Sequence, residues 1–246
     1  MQHNSIESET GFVILLDALG MKNKMLFEEN EAEKIIEIWD TLIHDSVELS
    51  KKYVKQVKWR EIIDSGLCNI EIRGFSDTLI ILIKVGQKPG LMVLDMVPLG
   101  ELLGSIFVLA LKKGILLRGA VSYGEYSKSQ YIVAGRAMNE VIAWYEQLDM
   151  IGIMATPNFA NIIKQKNKDI LRKQWSSYPY THMKNGVGEI LISNWIYTIQ
   201  TQFSSEIEDM EKFIFSIFQQ NMITPEIYSK YENTYNFFQW VKNIEQ

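Results

Sequence analysis

A continuous apolar run near the N-terminus, GFVILLD (residues 11–17), constrains the fold more than any other segment of this 246-residue chain. Its apolar residues follow one another without alternation, which is typical of a central strand buried on both faces. Because 47% of the residues are apolar, the chain can surround such a strand with one large core. The sequence therefore predicts a sheet with this run at or near its centre.

Helix and hairpin patterns follow the run. The spacing of apolar residues predicts a long amphipathic helix over about residues 26–58. Residues 68–84 divide into two strands around the turn formers of GFSD. A second helix is predicted over 91–113, interrupted or restarted near Pro98, since a proline removes a helical hydrogen bond. Gly114 is expected to end it.

A second hairpin is predicted from ILLRGAVSYGEY and SQYIVAG (115–126 and 129–135), followed by a helix from Arg136 and a short strand, MIGIMA. The first six elements then read β-α-β-β-α-β, an α+β order of the ferredoxin-like or palm kind. Residues 156–246 mix helical and strand patterns. We expect them to form a C-terminal α/β extension that packs on the core or on a dimer, within one structural domain.

The net charge and the apolar pattern of the sequence indicate which partners and which cellular location to expect. The net charge of −5 provides no basic field for nucleic acid, which is therefore not expected as a partner. The polar, acidic N-terminus lacks the layout of a secretory signal, and the longest apolar run, LLGSIFVLAL, is too short to cross a bilayer. We expect a cytoplasmic protein without membrane insertion.

Two aspartates stand out by their positions. Asp17 ends the first predicted strand, and Asp77 lies in the turn of the first hairpin. Two carboxylates on a rigid sheet can share divalent metal ions. The alternative is that Asp17 caps the following helix and Asp77 only forms an Asx-type turn.

Four segments carry a family resemblance: ILLDALGMKN, IRGFSDTLII, LLRGAVSYGEY and IVAGRAMNEV. Their order and spacing resemble the motifs of class III nucleotidyl cyclases, and they look closest to bacterial pyrimidine cyclases of the anti-phage Pycsar type. The resemblance covers about residues 11–155. It implies a catalytic core over residues 1–155.

The resemblance implies roles for the first two segments. Asp17 and Asp77 resemble the family's metal-binding aspartates, and the carbonyl of Ala18 falls where a further ligand is supplied to two Mg²⁺ or Mn²⁺ ions. The turn Leu19, Gly20 and Met21 is expected to present backbone amides to the β- and γ-phosphates ahead of a helix. Lys22 or Lys24 is expected to assist.

Base recognition is implied for Arg73, which stands where adenylate-forming relatives have a base-reading lysine. Their second base reader, an aspartate, corresponds to Ile132 here. An arginine offers only hydrogen-bond donors, which suits the two carbonyl groups of uracil better than adenine's amine. The alternative is that Arg73 simply forms a surface salt bridge.

The helix predicted from Arg136 lacks one arginine that the family resemblance leads us to expect. Asn139 corresponds to the family asparagine that orients the ribose, but the transition-state arginine expected one helical turn later is Ala143. Arg118 and Arg136 are the available substitutes, because an arginine can stabilise developing phosphate charge from more than one direction. Arg118 is equally consistent with a structural ion pair.

The resemblance thus implies a cyclase that converts a nucleoside triphosphate, UTP first and CTP second, to a 3′,5′-cyclic monophosphate and pyrophosphate. A head-to-tail homodimer with composite sites is implied, as is a separate effector that the cyclic nucleotide activates in anti-phage defence. One alternative is a degenerate nucleotide-binding module without turnover. Another is a different palm enzyme, against which the acidic balance and the lack of a GGDEF-type turn argue.

Overall fold

The core elements of the computed structural model follow the predicted order. The structure describes residues 6–21, 30–56, 70–85, 91–166, 169–221 and 225–244. The first six elements are β1 (Glu7–Ala18), α1 (Glu31–Gln56), β2 (Ile70–Phe75), β3 (Thr78–Lys84), α2 (Leu91–Lys112) and β4 (Leu117–Lys128). The β-α-β-β-α-β prediction is confirmed.

The second half contributes shorter elements. They are β5 (Val133–Ala134), α3 (Arg136–Tyr145), β6 (Gly152–Ala155), α4 (Pro157–Lys166), α5 (Asp169–Gln174), β7 (Trp175–Met183), β8 (Gly186–Ser193), α6 (Trp195–Thr198), a π-helical turn (Ile199–Phe203), α7 (Met210–Gln220) and α8 (Pro225–Ile244). None of the described helices is long and apolar enough to cross a membrane.

All strands belong to one eight-stranded sheet with the order β2-β3-β1-β4-β6-β8-β7, and β5 pairs with β4. The four strands of the ferredoxin-like core pair antiparallel, with β1 between β3 and β4. Residues Phe12 to Leu16 of β1 are buried because layers cover both faces of the sheet. The fold is therefore α+β with a palm-like core.

The C-terminal residues extend this sheet. Strand β6 lies parallel to β4, and the β7–β8 hairpin continues antiparallel from β6. Trp195 packs against Phe107 of α2 and against Phe237 and Phe238 of α8, so both halves of the chain share aromatic contacts in the core. The division at residue 155 stays a prediction.

The predicted break at Pro98 is wrong, since α2 runs through it. Tertiary contacts support the local backbone: Ser50 Oγ donates to the Pro98 carbonyl at 3.2 Å, and Gln174 Nε2 donates to the Val97 carbonyl at 3.1 Å. Burial of the helix thus offsets the hydrogen bond that the proline removes. Gly114 ends the helix region with φ +73°, as expected for a left-handed stop.

Candidate active site

Asp17 lies at the end of β1, between Thr78 of β3 and Arg118 of β4 in the strand register. Residues directly opposite one another on antiparallel strands project from the same face. Arg118 Nη2 donates to Asp17 Oδ2 at 3.0 Å, and the Thr78 hydroxyl makes a longer contact of 3.4 Å to Oδ1. Asp17 is thus held in an ion pair with Arg118, its cross-strand neighbour on β4.

Asp77 lies in the turn between β2 and β3, as predicted. The Ala18 amide donates to the Asp77 carbonyl oxygen at 3.0 Å, which attaches the turn to the end of β1. A continuous strand would place Arg73, Phe75 and Asp77 on one face, but β2 ends at Phe75 and Ser76 has φ +57°. The turn therefore sets the position of Asp77.

The two carboxylates interact electrostatically. Burial raises the pKa of Asp17 above its ordinary value, the charge and hydrogen bond of Arg118 oppose this, and the negative charge of Asp77 adds to the increase. A carboxylate that is partly desolvated and close to a second carboxylate favours a nearby cation. This end of the sheet is thus a place where added positive charge is stabilising.

The oxygen donors fit a hard divalent cation. Asp17, Asp77 and the Ala18 carbonyl are oxygen ligands of the kind that Mg²⁺ and Mn²⁺ prefer. Within the described ranges, no three or more His, Cys, Asp or Glu side chains are grouped to hold an ion. Mg²⁺ is commonly bound by one or two carboxylates together with substrate phosphates, and this donor set matches that pattern.

The turn after β1 supports only part of its predicted role. The Leu19 amide donates to the Leu116 carbonyl at 2.8 Å, so its predicted contact with a phosphate is wrong. Gly20 is exposed with φ +81°, a conformation that glycine adopts readily, and the Met21 side chain is buried. Lys22 and Lys24 lie outside the described residues.

Arg73 is held by other residues of the same chain. Its Nε and Nη2 donate to Glu71 Oε1 at 2.8 and 2.6 Å, and Nη2 also donates to the Ser129 carbonyl at 2.6 Å. The Ser129 amide donates to the Ile132 carbonyl, so Arg73 anchors the loop that carries Ile132, the position that corresponds to the family's second base reader. Sequence analysis missed Glu71, although its place two residues before Arg73 puts both on one strand face.

The predicted ribose and cation positions lie on α3. Arg136, Asn139 and Ala143 are all exposed, and their spacing places them along one side of the helix. In the described part of the chain, no hydrogen bond or ion pair joins Arg136 or Asn139 to the two aspartates. The structure brings Asp17, Asp77 and Arg118 together and leaves the α3 residues facing outward.

Tyr145, at the end of α3, is a neighbour of Arg118 that sequence analysis did not identify. The Arg118 guanidinium lies 5.8 Å from the centre of the Tyr145 ring, within the range of a cation–π contact. The Tyr145 hydroxyl donates to Glu146 Oε1 at 2.9 Å, and burial together with Glu146 raises the pKa of Tyr145 to about 12. Tyr145 therefore contacts Arg118 through its ring.

Solved structures of cyclase-like proteins are similar to this chain in backbone arrangement. An adenylate/guanylate cyclase/hydrolase from Silicibacter pomeroyi has a TM-score of 0.46 and 11% identity, covering 76% of this chain and 96% of that chain. A class III adenylyl cyclase-like ATP-binding protein from Pseudomonas aeruginosa has a TM-score of 0.42 and 12% identity, covering 87% and 44%. No protein-family model and no curated protein matches the chain.

Proposed function

We propose that the protein is a nucleotide cyclase of the class III type, which converts a nucleoside triphosphate to a 3′,5′-cyclic monophosphate and pyrophosphate. The observation that carries the proposal is that Asp17 and Asp77 lie at the same end of a palm-like sheet, where their charges interact. The Ala18–Asp77 backbone bond holds them there. Arg118 adds a cation at the same place.

Asp17, Asp77 and the Ala18 carbonyl would hold Mg²⁺ or Mn²⁺, two ions per site. Bound ions of this kind favour deprotonation of the 3′-hydroxyl and neutralise charge on the pyrophosphate. The amides of Gly20 and Met21 are proposed to bind the phosphates, with Lys22 or Lys24 assisting. Arg118 is proposed to bind phosphate oxygens through its planar guanidinium.

The exposed side of α3 supports a composite site. Asn139 would orient the ribose, and Arg136 would supply the positive charge that Ala143 lacks. Since these side chains face outward, we propose a head-to-tail homodimer in which α3 of one subunit meets the aspartates of the other. A single subunit is then expected to be inactive.

The proposed substrate is UTP, then CTP. Arg73 offers donors only, and its Nη1 is buried without a hydrogen-bond partner among the described residues. That donor is proposed to reach a uracil carbonyl when the second subunit and the substrate rearrange the loop at Ser129. A role in anti-phage defence, a cytoplasmic location and an effector that responds to the cyclic nucleotide are further parts of the proposal, which rest on the sequence resemblance.

Two positions favour a second candidate function. Ala143 and Ile132 are exposed and lack the expected charged groups, which is consistent with a nucleotide-binding module without turnover. The two candidates differ in their products, since only the cyclase releases pyrophosphate.

The test is incubation of the purified protein with each of the four ribonucleoside triphosphates and Mn²⁺, with products identified by mass spectrometry. A cyclic mononucleotide from the wild type, and none from Asp17→Asn or Asp77→Asn, is the expected result. Nucleotide binding without any product would support the binding module. Linear or dinucleotide products would support a different palm enzyme.

A further inference from the structure

We propose that Arg118 is an internal counter-ion of Asp17 and that it makes binding of the divalent ion conditional on the triphosphate. This inference rests on the proposed function, because it takes Asp17 and Asp77 as ligands of the ion. It assigns Arg118 a role before catalysis, when the nucleotide has not yet bound.

The first support is the rigidity of the ion pair. Arg118 and Asp17 are opposite each other on neighbouring strands, their side chains are only 11% and 17% exposed, and Nη2 lies 3.0 Å from Oδ2. Gly119, the next residue, lies so close to β1 that a Cβ there would be 2.5 Å from the Leu15 carbonyl oxygen. The unbroken β1–β4 pairing, which includes Asp17↔Arg118, holds the two backbones in register, so Arg118 can separate from Asp17 only through a side-chain movement.

The second support is competition for the same carboxylate. A divalent ion at Asp17 must share or displace the oxygen that Arg118 occupies, and the guanidinium charge repels it. The described site contributes two carboxylates, so Arg118 cancels half of the protein's negative charge there. The ion alone is then bound weakly.

The third support is a spare donor on Arg118. Its Nε is buried and has no hydrogen-bond partner among the described residues, while the Tyr145 ring lies beside the guanidinium. A phosphate group can accept two parallel bonds from an arginine. An arriving triphosphate would satisfy Arg118, release the Asp17 oxygen and bring its own oxygens as further ligands of the ion. Tyr145 is the positioning residue that keeps the guanidinium in reach of both partners.

The experiment is a titration of the full-length protein with Mn²⁺ alone, with free Mn²⁺ measured by electron paramagnetic resonance. Arg118→Gln removes the charge, Arg118→Lys keeps it, and Lys166→Gln removes an exposed charge on α4 as the matched control. We expect Arg118→Gln to bind Mn²⁺ at least about fivefold more tightly than the wild type. The Lys166→Gln and Arg118→Lys variants should stay close to the wild type.

A second titration uses the non-cyclisable α,β-methylene analogue of UTP with saturating Mg²⁺, measured by calorimetry. Here Arg118→Gln should bind the analogue more weakly than the wild type does. The same substitution is thus expected to strengthen Mn²⁺ binding and to weaken binding of the nucleotide analogue. A merely structural arginine would not produce opposite changes. Should Arg118→Gln fail to fold by circular dichroism, Arg118→Met, which keeps an unbranched stem against Tyr145, takes its place.

Unchanged or weaker Mn²⁺ binding by the neutral variant would overturn the inference, as would Arg118→Lys binding as tightly as Arg118→Gln. Asp17→Asn and Asp77→Asn separate this outcome from failure of the proposed function. If both retain wild-type Mn²⁺ binding, the metal site itself is wrong. If both lose Mn²⁺ binding while Arg118→Gln binds Mn²⁺ no more tightly than the wild type, only the role of Arg118 is wrong.

Discussion

The Ala18 amide and the Asp77 carbonyl oxygen are 3.0 Å apart, and this bond joins the end of β1 to the turn between β2 and β3. It fixes the backbone beside each aspartate, so that Asp17 and Asp77 lie at the same end of the sheet although they are far apart in the sequence. Burial raises the pKa of Asp17, and the negative charge of Asp77 adds to the increase. The proposed chemistry depends on this junction.

Arg136 is expected to supply the cation that Ala143 lacks. Arg136→Ala should lower kcat at least about tenfold, because an arginine that stabilises transition-state charge contributes that much or more. Adding Ala143→Arg should restore part of the loss, since Ala143 is exposed and has room for a long side chain. Steady-state release of pyrophosphate measures both effects.

The control for that rescue is Ile142→Arg in the Arg136→Ala background. It adds the same charge one residue earlier, on a different side of α3, and Ile142 is also exposed. Equal recovery in the two double variants would mean that a general charge effect replaces the proposed geometry. No loss in Arg136→Ala itself would remove Arg136 from the site.

Arg73→Ala is expected to raise the KM for UTP by about tenfold, because it removes one charged donor and releases the loop at Ser129. Mn²⁺ binding should not change, since Arg73 is paired with Glu71 and has no contact with Asp17 or Asp77 among the described residues. Competition between UTP and ATP measures the base preference. Lys84→Ala, which removes an exposed lysine from a different ion pair, with Glu9, is the matched control. Kinetics equal to those of the wild type would mean that Arg73 only holds the loop at Ser129 and does not contact the base.

Local patterns predicted the core elements. The unbroken apolar run predicted β1, the turn formers around Ser76 predicted the β2–β3 hairpin, and the order of elements predicted the palm-like topology. These features depend on residues close together in the chain, which is where sequence patterns are strongest.

The contacts that the sequence did not reveal depend on how distant segments of the chain pair and pack in the fold. The Leu19 amide is occupied because β1 pairs with β4 in a register that brings Leu116 beside it. Arg73 is held by Ser129, and Arg118 lies beside Tyr145, only because separate segments meet in the folded chain. The continuity of α2 through Pro98 likewise depends on Ser50 and Gln174.

A buried glutamate predicts a pH-dependent stability. Glu101 of α2 is 1% exposed and accepts bonds from Gln174 Nε2 at 2.6 Å and Gln202 Nε2 at 2.5 Å. Burial raises its pKa from 4.5 to about 7, and the two hydrogen bonds oppose the increase. The folded protein therefore holds this proton more tightly than the unfolded chain. The free energy of unfolding should fall between about pH 4.5 and pH 7, by at most about 3 kcal/mol.

Urea unfolding at several pH values measures this dependence. Glu101→Gln removes the titrating group and should gain stability relative to the wild type as the pH rises through that interval. Glu232→Gln changes an exposed carboxylate of α8 and should leave the slope unaltered. An identical pH slope in Glu101→Gln and the wild type would contradict the expectation.

The most direct measurement is a double-mutant cycle on the two aspartates. The values of kcat/KM for cyclic nucleotide formation are compared in the wild type, Asp17→Asn, Asp77→Asn and the double variant, with folding checked by circular dichroism. Carboxylates that hold the same ions act as a unit, so we predict that each single substitution lowers kcat/KM about as much as both together. Losses that simply add, or full activity in either single variant, would contradict the account.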